Sequence, residues 1–323
     1  MNLIVSVIVI TYNSSRFILE TLESINAQTY HDIELIISDD ASGDNTIELC
    51  QNWLSKNEKR FVRSQIITVS INRGISANCN RGLSAANGEW IKYIAGDDAL
   101  LPNCIKDNVI WITSHPQIRV LFSRIEIYKD TFESQNHIAA SPGDPYNPKS
   151  IIAPEKSANS QYKMLLLCDR INFTPSVFLN REVLLSVKGF NERFRFLEDY
   201  PLWLSLTKIG HKLYFMDTST VNYRQHLKAI NNTGADNLIN PNFFKSEAFR
   251  KVYTYPYLPF DIKLNQRYCW FASQIFRCNW LNKDQIINRF LMNLFLIYMN
   301  PFRYYIYLKK HLIKDLDSNE FYL

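Results

Sequence analysis

The first hundred residues alternate between short apolar runs and segments whose apolar side chains have a helical spacing. Buried strands are predicted over residues 3–10, 33–37, 65–70 and 89–94, and helices over residues 16–28, 45–56 and 75–87. Strands that alternate with helices in this way pair in a parallel sheet through right-handed crossovers. The sequence therefore predicts an α/β domain whose mostly parallel sheet is flanked by helices.

Polar residues follow each of these strands at its carboxyl end, at positions 11–13, 39–40, 72–74 and 97–98. Ligands of parallel sheets bind beyond the carboxyl ends of the strands, so these residues are candidates for a binding site. The first strand-to-helix turn contains neither GxGxxG nor GxxxxGK[ST]. This absence disfavours dinucleotide-binding and P-loop folds.

The carboxylates at the strand ends have two interpretations each. Asp97 and Asp98 can form a turn that caps the next helix, or they can hold Mg²⁺ or Mn²⁺. Asp40 can close an Asx-turn, or it can accept hydrogen bonds from a base or a ribose. The residues alone leave both interpretations open.

A second acidic pair, Glu198-Asp199, begins a predicted helix over residues 197–208. Acidic residues at a helix start interact favourably with the helix dipole, whereas a carboxylate in a partly closed cleft is suited to act as a general base. His226 can be a metal ligand or a core histidine with satisfied hydrogen bonds. Further strands are predicted over residues 172–179, 212–216 and 221–224, and a long polar loop over residues 130–159.

The last quarter of the chain differs from the rest in charge and aromatic content. Residues 243–323 contain 12 Lys or Arg, 6 Asp or Glu, and 21 of the 44 aromatic residues, and from about residue 261 their pattern is helical. These helices can pack on the preceding domain or contact a membrane surface with their aromatic and basic side chains. A nucleic-acid surface is disfavoured because the rest of the chain contains no nucleic-acid-binding motif.

The cysteine pattern and the hydropathy indicate an intracellular setting. The six cysteines form no CxxC pair and no zinc-ligand spacing, which is typical of a reducing compartment. No basic segment precedes the apolar N-terminal run, so no signal peptide is expected. The longest apolar stretch, residues 290–299, is about half of the length that a bilayer crossing needs. We therefore expect a cytoplasmic protein that is soluble or peripheral on the inner face of the membrane.

Four sequence blocks in a fixed order carry a family resemblance. They are VSVIVITYNSSRFILETLESINAQTYHDIELIISDDASGDNT, NRGISANCNRGLSAANGEWIKYIAGDDALLP, GFNERFRFLEDYPLWLSL and YRQH. Together they resemble the family 2 glycosyltransferases of the GT-A fold, over about residues 3–226. The resemblance implies a GT-A catalytic domain over residues 1–235, followed by a helical extension over residues 236–323.

The resemblance also implies a reaction and a set of functional residues. Enzymes of this family transfer a sugar from a nucleotide-diphosphate donor to an acceptor hydroxyl with inversion at the anomeric carbon. The implied nucleotide contacts are Thr11, Tyr12, Asn13, Asn72, Gly74 and Asp97, with Asp40 at the base. The implied ligands of Mn²⁺ or Mg²⁺ are Asp98 and His226, and the implied catalytic pair is Asp199, the base, with Glu198 beside it.

Two positions depart from the family pattern. The metal-binding element is Gly96-Asp97-Asp98 instead of a spaced DxD, which implies that one carboxylate provides most of the coordination. Cys79 occupies a position where the family often has arginine. The diphosphate charge is then left to the metal, to Arg73 or to Arg81.

We therefore expect an inverting glycosyltransferase of bacterial surface polysaccharide synthesis, such as capsule, O-antigen or exopolysaccharide. The expected partners are a nucleotide-sugar donor, most simply a UDP-sugar, and a saccharide or lipid-linked saccharide acceptor, with no nucleic acid. One alternative is a sugar-nucleotide nucleotidyltransferase, but residues 11–16 lack the glycine- and lysine-rich loop of such enzymes. Another is a non-catalytic nucleotide-sugar-binding subunit, which would have no need to retain Asp199.

Overall fold

The computed structural model describes residues 3–194, 197–226, 237–240, 243–244, 246–313 and 321. The strands are β1 (Val5–Thr11), β2 (Ile33–Asp39), β3 (Arg63–Thr68), β4 (Trp90–Ala95), β5 (Ala99–Leu100), β6 (Val120–Lys129), β7 (His137–Ser141), β8 (Phe178–Asn180) and β9 (Leu213–Gln225). The α-helices are α1 (Ile18–Asn26), α2 (Thr46–Asn57), α3 (Ile75–Ala85), α4 (Cys104–Ser114), α5 (Ala158–Leu167), α6 (Arg181–Ser186), α7 (Tyr200–Lys208), α8 (Glu247–Tyr253), α9 (Phe260–Ser273), α10 (Ile286–Asn293) and α11 (Pro301–Leu312).

The nine strands of the described residues belong to one sheet, in the order β3-β2-β1-β4-β8-β6-β9-β5, with β7 paired to β6. The four N-terminal strands pair in parallel, whereas β8 pairs antiparallel with both β4 and β6. This arrangement confirms the predicted α/β class and the parallel pairing of the first four strands. The second half of the sheet is mixed.

The β-branched composition of β1 and β2 explains their central position in the sheet. Nearly every residue of the two strands is buried, as expected for parallel strands covered on both faces. Helix α1 buries Ile18, Leu22 and Ile25, which lie on one face because they are spaced by four and three residues. Helix α3 approaches β1 closely at Gly82, where a Cβ atom would lie only 2.4 Å from a methyl group of Ile8.

Three features differ from the predicted elements. Strand β6 occupies a segment for which no strand was predicted, and β7 lies inside the predicted loop of residues 130–159. The two strands predicted over residues 212–216 and 221–224 are parts of the single strand β9. Its pairing with β6 shifts register on both sides of Arg124, so a bulge accommodates the polar residues between the two apolar parts of β9.

The chain divides into two compact units. The first comprises residues 1–161 and 170–225, and the second comprises residues 162–169 and 226–323. The domain boundary predicted at residue 235 lies outside the described residues. Within the described ranges, every helix is too short or too polar to cross a bilayer.

Candidate active site

The polar ends of the parallel strands meet at one edge of the sheet. Thr11 pairs with Asp39 in the β1–β2 register, and the amide of Asp40 donates to the carbonyl of Thr11 at 3.0 Å. On the other side of β1, the amide of Gly96 donates to the carbonyl of Ile10 at 2.9 Å. The structure therefore brings together three of the predicted segments, those that contain Thr11, Asp40 and Asp97.

Hydrogen bonds between two loops fix the turn after β1. Asn13 has a positive φ of 52°, and its side-chain oxygen accepts a hydrogen bond from the amide of Gly43 at 2.8 Å. The amide of Asn13 donates to the hydroxyl of Ser42, also at 2.8 Å. The ring of Tyr12, the residue before Asn13, is exposed at this edge of the sheet. The two hydrogen bonds therefore hold Asn13 against the loop that follows β2.

Asp39 is a structural residue of the site to which the sequence assigned no role. Its buried carboxylate accepts hydrogen bonds from the hydroxyl of Thr11 at 2.8 Å and from the amide of Ser42 at 2.9 Å. The alternation of side chains along a strand directs Asp39 and Asp40 to different surroundings. This alternation is the one signal in the sequence that distinguishes the two aspartates.

Asp40 binds the turn that follows β3. Its buried carboxylate accepts hydrogen bonds from the amides of Arg73, at 3.0 Å, and Gly74, at 2.6 Å, and forms an ion pair with Arg81 at 3.1 Å. The side-chain oxygen of Asn72 also accepts a hydrogen bond from the amide of Gly74, at 3.1 Å. The predicted nucleotide contacts Asp40, Asn72 and Gly74 are therefore neighbours, and Arg81 is the cation held among them.

Asp97 and Asp98 have different environments after β4. Asp97 is half-buried, whereas the carboxylate of Asp98 is buried and accepts a hydrogen bond from the amide of Arg224 at 2.8 Å. Burial, and then the charge of Asp97, raise the pKa of Asp98 well above its usual value. The half-buried Asp97 is the more accessible of the two carboxylates, and the choice of the cation ligand between them stays a prediction.

Arg224 holds the Asp97-Asp98 turn against β9. Its guanidinium donates to the carbonyl of Asp97 at 2.7 Å, forms an ion pair with Glu20 and lies 3.9 Å from the ring centre of Phe132. No sequence pattern predicted this role, although Arg224 is part of the block YRQH. His226, two residues further along, is half-buried and begins the second segment of the second unit; its ligand role stays a prediction.

Asp199 is the N-cap residue of α7 and has two hydrogen-bond donors. Its carboxylate accepts from the hydroxyl of Thr174 at 2.6 Å and from the amide of Tyr200 at 2.8 Å. Burial nevertheless raises the pKa of Asp199. A carboxylate with a raised pKa is a stronger base than an exposed aspartate, which fits the predicted role in proton abstraction.

Helix α3 lies near the acidic pair Glu198-Asp199. Burial raises the pKa of the Cys79 thiol, and the nearby charges of Glu198 and Asp199 raise it further. The next residue, Asn80, donates to the carbonyl of Phe190 and to the carboxylate of Glu192, both at 2.8 Å. The position where the family often has arginine is thus a buried thiol close to the two candidate catalytic carboxylates.

Lys92 is a buried cation near Asp98 and near the turn that binds Asp199. It is buried in β4, and its ammonium group donates to the carbonyl of Pro175 at 2.7 Å, next to the residue that binds Asp199. Burial lowers the pKa of Lys92, and the nearby carboxyl of Asp98 opposes that shift. The ammonium of Lys92 therefore lies near Asp98 and also donates a hydrogen bond to the turn at residues 174–176.

The donor set suits a divalent ion that is shared with a substrate. The described residues contain no group of three or more His, Cys, Asp or Glu side chains that forms a complete metal cage. Mg²⁺ and related hard cations are commonly bound by one or two carboxylates together with substrate phosphates. The half-buried Asp97, which follows β4 at the same sheet edge, fits that partial coordination.

Comparison with known proteins gives a consistent result. Residues 6–179, more than half of the chain, match the family described as glycosyl transferase family 2. The chain is 24% identical over 304 residues to the amylovoran biosynthesis glycosyltransferase AmsB of Erwinia amylovora, covering 89% of this chain and 95% of that relative. It is 29% identical over 203 residues to the GalNAc(5)-diNAcBac-PP-undecaprenol beta-1,3-glucosyltransferase of Campylobacter jejuni, covering 63% of this chain and 59% of that relative.

A solved structure shows the same fold. TarS 1-349 of S. aureus in complex with UDP-GlcNAc superposes with a TM-score of 0.57 at 18% identity, covering 90% of this chain and 78% of that one. The GT-A-type fold predicted from the four sequence blocks is confirmed, and the nucleotidyltransferase and non-catalytic alternatives are not supported. The family match, together with this fold, establishes that the chain belongs to the family 2 glycosyltransferases.

Proposed function

We propose that this glycosyltransferase inverts the anomeric carbon of a nucleotide-diphosphate sugar as it transfers the sugar to an acceptor hydroxyl. The observation that supports the proposal most directly concerns Lys92, whose buried ammonium donates to the carbonyl of Pro175, beside the Thr174 that binds Asp199, and is near enough to Asp98 for that carboxyl to raise its pKa. The candidate base and the acidic turn after β4 are therefore close to one buried cation. Inversion needs one group for the leaving group and one for the attacking hydroxyl, on opposite sides of the donor carbon.

In this proposal the nucleotide occupies the rim at the carboxyl ends of β1, β2 and β4. Tyr12 and Asn13 contact the nucleotide, and the turn at residues 72–74, held by Asp40, closes one side. Asp97 would hold Mn²⁺ or Mg²⁺, which supplies positive charge to the diphosphate as it leaves. The UDP-GlcNAc complex of TarS favours a UDP-sugar as the donor.

Asp199 is the proposed general base. Its carboxylate takes the proton of the acceptor hydroxyl while the oxygen attacks the anomeric carbon, and the C–O bond to the diphosphate breaks on the opposite face. Thr174 and Tyr200 orient the carboxylate, and burial raises its pKa toward the working pH. Glu198, half-buried beside it, is the proposed second acidic group at the acceptor.

The acceptor is proposed to be a saccharide, free or lipid-linked, in the synthesis of a bacterial surface polysaccharide. The names of two relatives support this assignment, because one belongs to amylovoran biosynthesis and the other acts on an undecaprenol-diphosphate-linked glycan. The proposal gives the donor and acceptor classes and leaves the individual sugars to experiment.

A thermal-shift screen tests the donor class. UDP, GDP, dTDP and CDP are each added with and without Mn²⁺, and the unfolding midpoint is measured. One nucleotide is expected to raise the midpoint more in the presence of Mn²⁺; at about 100 times its Kd, a ligand adds about 2.7 kcal/mol to the free energy of unfolding. The proposal fails if none of the four nucleotides shifts the midpoint with or without the metal.

The Thr174 hydroxyl is expected to set the pH dependence of transfer. The hydrogen bond from Thr174 lowers the pKa of Asp199, so Thr174→Val raises that pKa. The base then needs a higher pH to ionise, and the acid limb of the kcat/KM profile should move up by about one pH unit. The activity loss is therefore large at acidic pH and small at alkaline pH.

Two further variants control this measurement. Thr174→Ser retains the hydroxyl and should restore the original profile. Thr207→Val removes another buried hydroxyl, which donates to the carbonyl of Trp203 within α7, and should leave the acid limb unchanged. If Thr174→Val and the original chain gave equal profiles, Asp199 would not be the group whose ionisation sets the acid limb.

A further inference from the structure

Helix α10 exposes large apolar side chains that no described residue covers. Ile286, Ile287 and Phe290 are 88%, 70% and 62% exposed, beside the exposed polar residues Arg289 and Asn293. Its one buried residue is the polar Asn288, 1% exposed, which donates to the carbonyls of Trp280 and Lys283 at 2.7 and 3.1 Å. A helix in water normally buries its apolar face and exposes its polar one.

Helix α11 repeats this arrangement. It buries none of its residues, and its exposed side chains include Tyr304, Tyr305, Tyr307, Leu308 and Leu312. The polar Asn300, which caps the helix, is buried and donates to Asn265 at 2.7 Å. The ammonium of Lys309 is directed inward to Asp261 at 2.7 Å. Asn300 and Lys309 thus point inward from this helix, whereas these five aromatic and aliphatic side chains point outward.

Cationic side chains accompany the exposed apolar face. Lys283, Arg289 and Arg303 are exposed on or beside the two helices. Residues 243–323 as a whole contain 12 Lys or Arg against 6 Asp or Glu. An apolar face with tyrosines and surrounding cations has the composition of a helix that lies at the surface of an anionic bilayer.

We infer that α10 and α11 form a docking surface for an anionic lipid bilayer. Ile286, Ile287 and Phe290 enter the boundary between headgroups and acyl chains, and the tyrosines of α11 lie at headgroup level. The exposed cations bind the anionic headgroups. The surface would keep the transferase where a lipid-linked acceptor is found, but the inference itself depends only on the second unit and not on the proposed reaction.

Two other occupants fit the surface less well. A second copy would bring two faces of the same positive charge together, and like charges across an interface oppose association. Single-stranded nucleic acid binds through aromatic stacking, whereas the most exposed side chains here are the aliphatic Ile286 and Leu312, 88% and 81% exposed. The bilayer is the partner that matches both the charge and the aliphatic character.

Flotation of the full chain with vesicles tests the inference. The vesicles are made of phosphatidylcholine alone or of phosphatidylcholine mixed with phosphatidylglycerol. The original chain should float with the mixed vesicles, less at high salt, and the triple variant Ile286→Gln, Ile287→Gln, Phe290→Gln should bind at least about tenfold more weakly. The thermal midpoint of each variant is measured to show that it is folded.

The matched control changes three exposed apolar residues of the first unit, Val62→Gln, Ile110→Gln and Ile209→Gln, and should float like the original chain. The inference is overturned if the original chain fails to float with mixed vesicles, or if the two triple variants float equally. Sedimentation velocity identifies the competing case. A dimer of the original chain that the α10 variant converts to a monomer, without flotation, would assign the surface to a second copy.

Discussion

Asp199→Asn is expected to lower transfer by about 10²- to 10⁴-fold, the usual contribution of a positioned general base, while nucleotide binding is retained. The asparagine side chain keeps nearly the same shape: its oxygen can accept the hydrogen bond from the amide of Tyr200, and its NH₂ group, at the position of the other carboxylate oxygen, can donate to the hydroxyl of Thr174. It cannot take up the proton of the acceptor hydroxyl. Transfer is measured as release of the nucleoside diphosphate, and binding is measured by the Mn²⁺-dependent thermal shift.

The matched control is Asp107→Asn on α4. Burial also raises the pKa of Asp107, so this variant neutralises a comparable carboxyl outside the site. It should transfer at nearly the original rate. Retained turnover in Asp199→Asn, with the same thermal shift, would show that another group accepts the proton. Loss of the thermal shift in that variant would show that the substitution disturbs the site as a whole.

The parallel half of the fold was predictable because its residues carry redundant signals. Strand β1 is a β-branched run, α1 has one apolar face, and a polar turn separates them, so propensity and periodicity agree. Strand β6 was not predicted, and in β9 the polar residues near Thr220 suggested a break. The hydroxyl of Thr220 lies 2.6 Å from that of Ser123, a contact that satisfies a buried polar group across strands. Because the two hydroxyls are far apart in the chain, no local sequence pattern indicates that they pair.

The order of the acidic residues predicted much of the candidate site, but it did not predict the buried cations that hold those residues in place. The ends of parallel strands converge by topology, so Thr11, Asp40 and Asp97 were expected at one edge. Lys92 and Arg224 are buried cations, and a sequence does not show whether a lysine within a strand faces solvent or a partner across the sheet. The exposure of the apolar side chains of α10 was likewise not predictable, because periodicity identifies an apolar face without showing what covers it.

Asp97→Asn and Asp98→Asn are expected to separate cation binding from turn geometry. Asp97 is the half-buried carboxylate, so its replacement should abolish the Mn²⁺-dependent part of the nucleotide thermal shift and lower transfer by about 10²- to 10³-fold. Asp98 is buried and its pKa is raised, so an amide closely resembles its protonated form. The asparagine oxygen can still accept from the amide of Arg224, and the Mn²⁺ response should remain.

The opposite result would assign the cation to Asp98, as the family resemblance first implied. A Mn²⁺ response that is lost in Asp98→Asn and kept in Asp97→Asn would require the buried carboxyl to ionise when the metal binds, overcoming its burial and the charge of Asp97. Such ionisation releases a proton, so metal binding by the original chain would strengthen steeply with rising pH. Loss of the response in Asp97→Asn, with the response kept in Asp98→Asn, identifies Asp97 as the ligand.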